Sequence, residues 1–270
     1  MTTSVKRTIP ATEFLFVPFI VAGFPDEDTT VELALMLQKL GAQALELGVP
    51  YSDPLADGPI IQAAAAKALK NGMSIKRAMN LVSVMRKKGV EIPIILFTYY
   101  NPVLQLGEES FFALAKENDI DGLLVPDLPF EESGRLRTKC KEEGMFLLSL
   151  VAPTSEKRIE MIASEAEGFL YCVSSLGVTG VRKELHDSVY PFLESVKKHA
   201  NIPVAVGFGI SNAEQVTNLL PVCDGVIVGS ALLKKLSELE ANIQNPDTHV
   251  AALQEFEDYV KSIISPISAV

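Results

Sequence analysis

The chain is poor in the residues that build metal centres and disulfide frameworks. Its 270 residues hold three cysteines and three histidines. Cys140, Cys172 and Cys223 are widely separated, and an odd count argues against a disulfide framework. They are read as reduced thiols packed in or near the core. No two histidines stand at ligand spacing, which argues against a zinc or iron site. No stretch reaches the ~18 consecutive apolar residues of a membrane span, so no membrane partner is expected. Residues 1–10 lack the apolar centre of a signal peptide, and a cytoplasmic location follows as the expectation. Positive charge is also scarce. Lys and Arg total 24 against 34 Asp and Glu, a net charge of -10, which argues against a general nucleic-acid binder. A phosphorylated substrate stays open, because backbone amides hold phosphate without a basic side chain. No low-complexity linker divides the chain, so residues 1–270 are read as one domain.

What is present is a core-forming composition, 48% hydrophobic and 21% charged. Eight short apolar runs fall at 15–21, 44–49, 94–99, 122–126, 146–151, 169–173, 204–208 and 225–228. Their brevity and their β-branched and aromatic content suit buried parallel strands. Segments of helical periodicity separate them. Residues 30–40 carry Val31, Leu33, Leu35, Met36 and Leu40 and end at Gly41, a C-terminal helix stop. Thr29-x-x-Glu32 and Ser211-x-x-Glu214 read as capping boxes. Further helices are expected at 59–69, 74–88, 109–117, 131–143, 156–166, 190–199, 230–239 and 248–264, with a weaker pattern in 1–13. The alternation predicts an α/β fold, a single (β/α)8 TIM barrel with extra helices.

In such a barrel, chemistry sits at the C-terminal ends of the strands. The most informative stretch there is 45–59, LELGVPYSDPLADGP. It places Glu46 inside an apolar strand and Asp57 eleven residues on, in a loop tight with Pro and Gly. Side chains alternate along a strand, so Ala44, Glu46 and Gly48 share one face and Leu45, Leu47 and Val49 the other. The second face suits packing against helices, which turns Glu46 into the barrel mouth. Two acids at one pocket take distinct protonation states when one is desolvated and the other hydrogen-bonded. Glu46 suits proton shuttling, and Asp57 suits facing a developing cation. On the residues alone, a buried ion-paired strut remains the alternative for Glu46. Asp53 reads as a loop-ordering or interface group.

Glycine-bearing loops follow the last three strands: Gly177-Val178-Thr179-Gly180, Gly207-Phe208-Gly209-Ile210 and Gly229-Ser230. Glycine permits close backbone approach. Ser230 opens a helical segment, whose dipole favours an anion. Gly207-x-Gly209 partly matches a dinucleotide fingerprint, but the third glycine is missing and the strand pattern disagrees.

These residues resemble the tryptophan synthase α-chain family. The likeness rests on the 45–59 signature and continues through Phe16-Val17-Pro18-Phe19, Val125-Pro126-Asp127-Leu128-Pro129 and the three glycine segments, covering nearly the whole chain. The resemblance implies retro-aldol cleavage of indole-3-glycerol phosphate to indole and glyceraldehyde 3-phosphate. It implies no metal or organic cofactor in this chain. Glu46 would be the acid/base, and Asp57 the second catalytic acid, facing the indole N–H. Phe19, Phe97, Tyr99, Asp127 and Tyr171 would line or support the indole pocket. Thr179, Gly180, Gly209, Gly229 and Ser230 would serve the phosphate site, with Thr179 and Gly180 on a loop (175–188) that closes over substrate. Arg182 and Lys183 on that loop read equally well as solvated charges. Ser175 stands where some relatives have Arg, and Tyr51 where some have Phe. The family works with a pyridoxal-phosphate β chain in an α2β2 heterotetramer, so a partner surface is expected at residues 50–54 and 101–104. The cofactor would belong to that partner, since no lysine here has a Schiff-base setting. Another phosphosugar barrel enzyme would need a catalytic Lys or Cys at a strand end, and none stands out. A non-catalytic activating subunit is disfavoured by the intact acid pair.

Overall fold

The computed structural model describes residues 7–10, 14–173, 188–207 and 209–267. Among these residues nine parallel strand segments form the sheet: β1 (Leu15–Val21), β2 (Leu45–Gly48), β3 (Ile94–Phe97), β4 (Gly122–Leu124), β5 (Phe146–Leu147), β6 (Ser149–Val151), β7 (Leu170–Val173), β8 (Val204–Gly207) and β9 (Gly225–Val228). Their order is β5-β4-β3-β2-β1-β9-β8-β7-β6. The two edges are one passage of chain, broken only at Leu148. β5 pairs with β4 and β6 pairs with β7, so the sheet closes on itself into an eight-position ring. The sequence expected one strand over 146–151. The structure splits it because the Leu148 N–H bonds Leu123 on one neighbour while the next residues turn to the other.

Period-2 alternation sorts the strand side chains into two cores. Leu15, Val17, Ala44, Ile95, Leu124, Phe169, Tyr171, Ala205 and Ile227 fill the ring interior. Leu45, Leu47, Leu96, Val206 and Val226 face the outer helices. Those helices are α1 (Glu27–Lys39), α2 (Pro59–Lys70), α3 (Ile75–Lys88), α4 (Tyr100–Leu106), α5 (Glu108–Glu117), α6 (Gly134–Glu142), α7 (Glu156–Glu165), α8 (Val189–His199), α9 (Ala213–Leu219), α10 (Ser230–Ile243) and α11 (His249–Ile264). α2 starts on a proline, whose fixed φ and missing N–H suit the first turn, and α3 ends at Gly89 with φ +103°.

Both expected capping boxes are displaced. α1 is capped by Asp26, whose carboxylate accepts from the Thr29 N–H at 2.7 Å, so Thr29 lies inside the first turn. α9 is capped by Asn212, which accepts from the Gln215 N–H, while Gln215 reaches back to the Ser211 N–H. The α1 cap falls three residues earlier than expected, on a carboxylate, and the α9 cap one residue later, on an amide. α4 was not expected; β3 stops at Phe97, and Tyr99 is the cap of α4 rather than a strand residue. Residues 7–10 carry no regular structure, and the rest of the expected leading segment lies outside the described residues. All three cysteines are free and buried. Among the described residues no helix is long and apolar enough to cross a membrane, and no cluster of His, Cys, Asp and Glu has metal-site geometry.

Candidate active site

Glu46 sits in the middle of β2, paired in register with Phe19 of β1 and Ile95 of β3. Strand alternation points it inward, and it is 1% exposed. Its Oε1 has no hydrogen-bond partner. Among the described residues no cation pairs with it, and burial pushes its carboxyl up to about 8. The buried-strut alternative needs such a partner, and none stands there among the described residues.

Asp57 lies in the loop between β2 and α2, two residues before Pro59, and is 5% exposed. Its Oδ2 accepts a hydrogen bond from the Tyr99 hydroxyl at 2.9 Å, while Oδ1 has no partner. Burial raises its pKa to about 6, and the Tyr99 hydrogen bond holds it from rising further. The two acids thus separate as environment dictates: the fully buried one is the weaker acid.

Both acids line one cleft with Phe19, Ile61, Phe97, Tyr171, Gly209, Ile210, Ile227, Gly229 and Ser230. The Phe19 and Phe97 rings meet edge to face at 5.3 Å, making one apolar wall. Tyr171 is buried deep, and its hydroxyl is pushed well above its usual range by burial and by the nearby Glu46 and Asp57. Two glycines make this packing possible. A Cβ at Gly207 would fall 2.3 Å from the Tyr171 hydroxyl, and one at Gly48 would fall 2.6 Å from the Phe19 ring.

On the same cleft, Gly229 caps α10 without any side-chain hydrogen bond, and Ser230 opens the helix. The first-turn amides of a fourteen-residue helix therefore point to the cleft with no capping side chain, an arrangement that suits an anion. Gly209, with φ +98°, adds a backbone turn that other residues rarely adopt.

The structure brings together Glu46, Asp57, Phe19, Phe97, Tyr171, Gly209, Gly229 and Ser230. Tyr99 and Asp127 stand behind the cleft: Tyr99 holds Asp57, and Asp127 Oδ1 accepts from the Tyr100 N–H at 2.9 Å, fixing the start of α4. Thr179 and Gly180, with Ser175, Arg182 and Lys183, lie outside the described residues. Sequence reasoning missed Ile61, Ile210 and Ile227. Only Ile227 carried a signal, as the inward residue between Gly225 and Gly229 on an alternating strand.

Parallel strands closed into a ring, with a desolvated acid at one rim and a helix start without a side-chain cap beside it, make this a (β/α)8-barrel protein with a site suited to proton transfer on a small apolar, anion-bearing molecule. Comparison with known proteins narrows the class. The family model described as tryptophan synthase alpha chain matches residues 6–264. The tryptophan synthase alpha chain of Geobacillus kaustophilus is 64% identical over 253 residues, covering 94% of each chain. That of Bacillus subtilis strain 168 is 60% identical over 254 residues, 94% of this chain and 95% of the relative. A chain from the tryptophan synthase α2β2 complex of Pyrococcus furiosus superposes with a TM-score of 0.83 at 37% identity, covering 94% of this chain and 98% of that one. The protein belongs to the tryptophan synthase alpha chain family.

Proposed function

We propose that the chain, acting as one domain over residues 1–270, cleaves indole-3-glycerol phosphate to indole and glyceraldehyde 3-phosphate, with Glu46 and Asp57 as its catalytic residues. The observation that carries this reading is the buried Glu46 carboxyl, its Oε1 without a partner, on an aromatic-walled cleft that also holds a helix N-terminus without a side-chain cap.

A carboxyl with a pKa of about 8 is protonated at neutral pH. It donates its proton to indole C3, and positive charge develops on the ring nitrogen. Asp57, ionised above about 6, faces that charge through the N–H. The Glu46 carboxylate left behind takes the proton of the C3′ hydroxyl. The C3–C3′ electrons return to the ring, indole regains aromaticity, the aldehyde forms, and Glu46 ends protonated as it began. Phe19, Phe97 and Tyr171 hold the indole. The amides at Gly209, Gly229 and Ser230 hold the phosphate, with Thr179 and Gly180 assigned to the same end by family resemblance. Remote phosphate binding keeps the reacting bond in place.

No metal or organic cofactor enters this scheme; no lysine lines the cleft among the described residues. Pyridoxal phosphate is assigned to a β-chain partner in an α2β2 assembly, with indole passed between sites. The exposed Leu104, in the expected 101–104 segment, and the exposed Leu55, one residue past the expected 50–54 segment, support the docking surface. A cytoplasmic location accords with a chain lacking a membrane-length helix among its described residues. The test is indole release from indole-3-glycerol phosphate by the purified chain, with and without the β chain. Turnover by the chain that rises with the β chain is expected; no indole in either case contradicts the reading.

A further inference from the structure

Asp57 and Glu46 share a cleft; among the described residues Asp57 has a side-chain donor, while Glu46 Oε1 has none. The donor is Tyr99, 2% exposed, which reaches Asp57 across forty-two residues of sequence. The Tyr99 oxygen also accepts from the Ala56 N–H at 3.0 Å. A phenol has one hydrogen. With the Ala56 amide occupying an oxygen lone pair, that hydrogen is directed at Asp57 Oδ2. Asp57 Oδ1 is left without a partner on the cleft side.

The tyrosine itself is held from two directions. Its backbone is the cap of α4, and Asp127 fixes the next residue through the Tyr100 N–H. Its ring lies against Tyr51 at 5.4 Å, and the Tyr51 hydroxyl accepts from the Asn101 side chain at 2.9 Å. The loop that carries Asp57 and the helix that follows β3 are therefore joined at one phenol.

We propose that Tyr99 is a positioning residue for the cleavage reaction, its hydroxyl clamped between the Ala56 amide and Asp57 Oδ2 so that Asp57 presents Oδ1 to the indole N–H as a carboxylate. The proposal rests on the role given to Asp57 above. A hydrogen bond donated to a carboxylate favours its ionised form, so Tyr99 also sets the pH at which Asp57 becomes usable. Burial and the adjacent Asp57 hold the Tyr99 proton in place well beyond its usual range, so it orients and does not transfer.

The experiment compares pH profiles of kcat/KM and the split between kcat and KM for the parent chain, Tyr99→Phe, Asp57→Asn and the double variant, each assayed by indole release. Tyr99→Phe is expected to lose about ten- to a hundredfold in kcat/KM near pH 6.5, the effect of removing a hydrogen bond to a charged group. Its acid limb is expected to move up by on the order of one pH unit. In the Asp57→Asn background, Tyr99→Phe is expected to cost nothing further. Replacing Tyr99 by difluorotyrosine keeps the shape and strengthens the donor, and is expected to move the acid limb down. An unmoved acid limb in both Tyr99 variants, or an equal loss from Tyr99→Phe in the two backgrounds, overturns the proposal while leaving the function intact. Full turnover by Asp57→Asn overturns the role of Asp57 and the proposal with it.

Discussion

The two ends of the barrel bury charge in opposite ways. At the N-terminal end, Arg7 and Arg86 meet Asp119 and Asp121. Arg7 reaches Asp119 at 2.7 Å and Asp121 at 3.2 Å, and Arg86 pairs with Asp121 while donating to the carbonyls of Val90 and Ile92. Asp121 also accepts from the Ile94 N–H at 2.8 Å, so the cluster ties β3, β4, α3 and the segment before β1 together. Ile9 from that segment packs against the ring interior. At the C-terminal end, Glu46 and Asp57 are buried as deeply, and each keeps an oxygen without a partner. Burial that serves the fold satisfies its charges; burial that serves chemistry leaves one group poised. The cost at the upper rim appears as displaced pKa values rather than as ion pairs.

Removing the poised group should produce the largest effect. Glu46→Gln is expected to lower kcat by about 10³-fold, within the range of a general acid–base residue, while leaving phosphate-ligand binding nearly intact. The same variant should be more stable than the parent in alkali. Because the folded-state pKa of about 8 lies above the ordinary 4.5, the fold binds an extra proton between these values. Its stability therefore falls as pH rises through that window and levels off above it. Denaturant melts at pH 5 and pH 9 check this. A variant that gains nothing over the parent at pH 9 would remove the contrast.

Breaking the lower cluster should do the reverse. Asp121→Ala leaves Arg86 without its buried partner and is expected to cost about 3 kcal/mol of stability, with kcat unchanged below the melting transition. Intermediate in size is the pH profile of kcat/KM. Asp57 must lose its proton and Glu46 must keep its own, so a bell with limbs near about 6 and about 8 is expected.

The smallest effect lies outside both ends. His249, at the start of α11, faces the carbonyl of Ile243 at 2.7 Å through Nδ1 and the Glu32 carboxylate on α1 at 2.8 Å through Nε2. Both partners are acceptors, so only imidazolium satisfies both. Its pKa is raised, first by the Ile243 carbonyl and then by Glu32. The stabilisation is complete below the unfolded value of ~6.5 and is lost as pH rises through the raised folded value. His249→Gln should narrow the difference between melts at pH 6 and pH 9 by less than about 1 kcal/mol, as for other exposed pairs.

The ring was legible in the sequence because parallel strands buried on both faces leave unbroken apolar runs; β1 and β9 fall at the expected bounds. The Glu46 orientation was legible because alternation is local. What was not legible is what crosses the chain. α4 is seven residues long with Pro102 in its first turn, too short for a helical period to show. The Tyr99–Asp57 bond and the placement of Ile61 and Ile210 on the cleft depend on ring closure, which no local pattern encodes. The caps at Asp26 and Asn212 were missed because several capping residues stand together, and geometry alone chooses among them.

The most direct measurement is the titration of Glu46 itself, by carbon-13 NMR of the side-chain carboxyl in the unliganded protein, with Glu46→Gln identifying the resonance. A midpoint near pH 8 is expected of a buried acid that holds its proton for indole C3. A midpoint near 4.5 would mean that the group is solvated or paired, and would contradict its role as the proton donor.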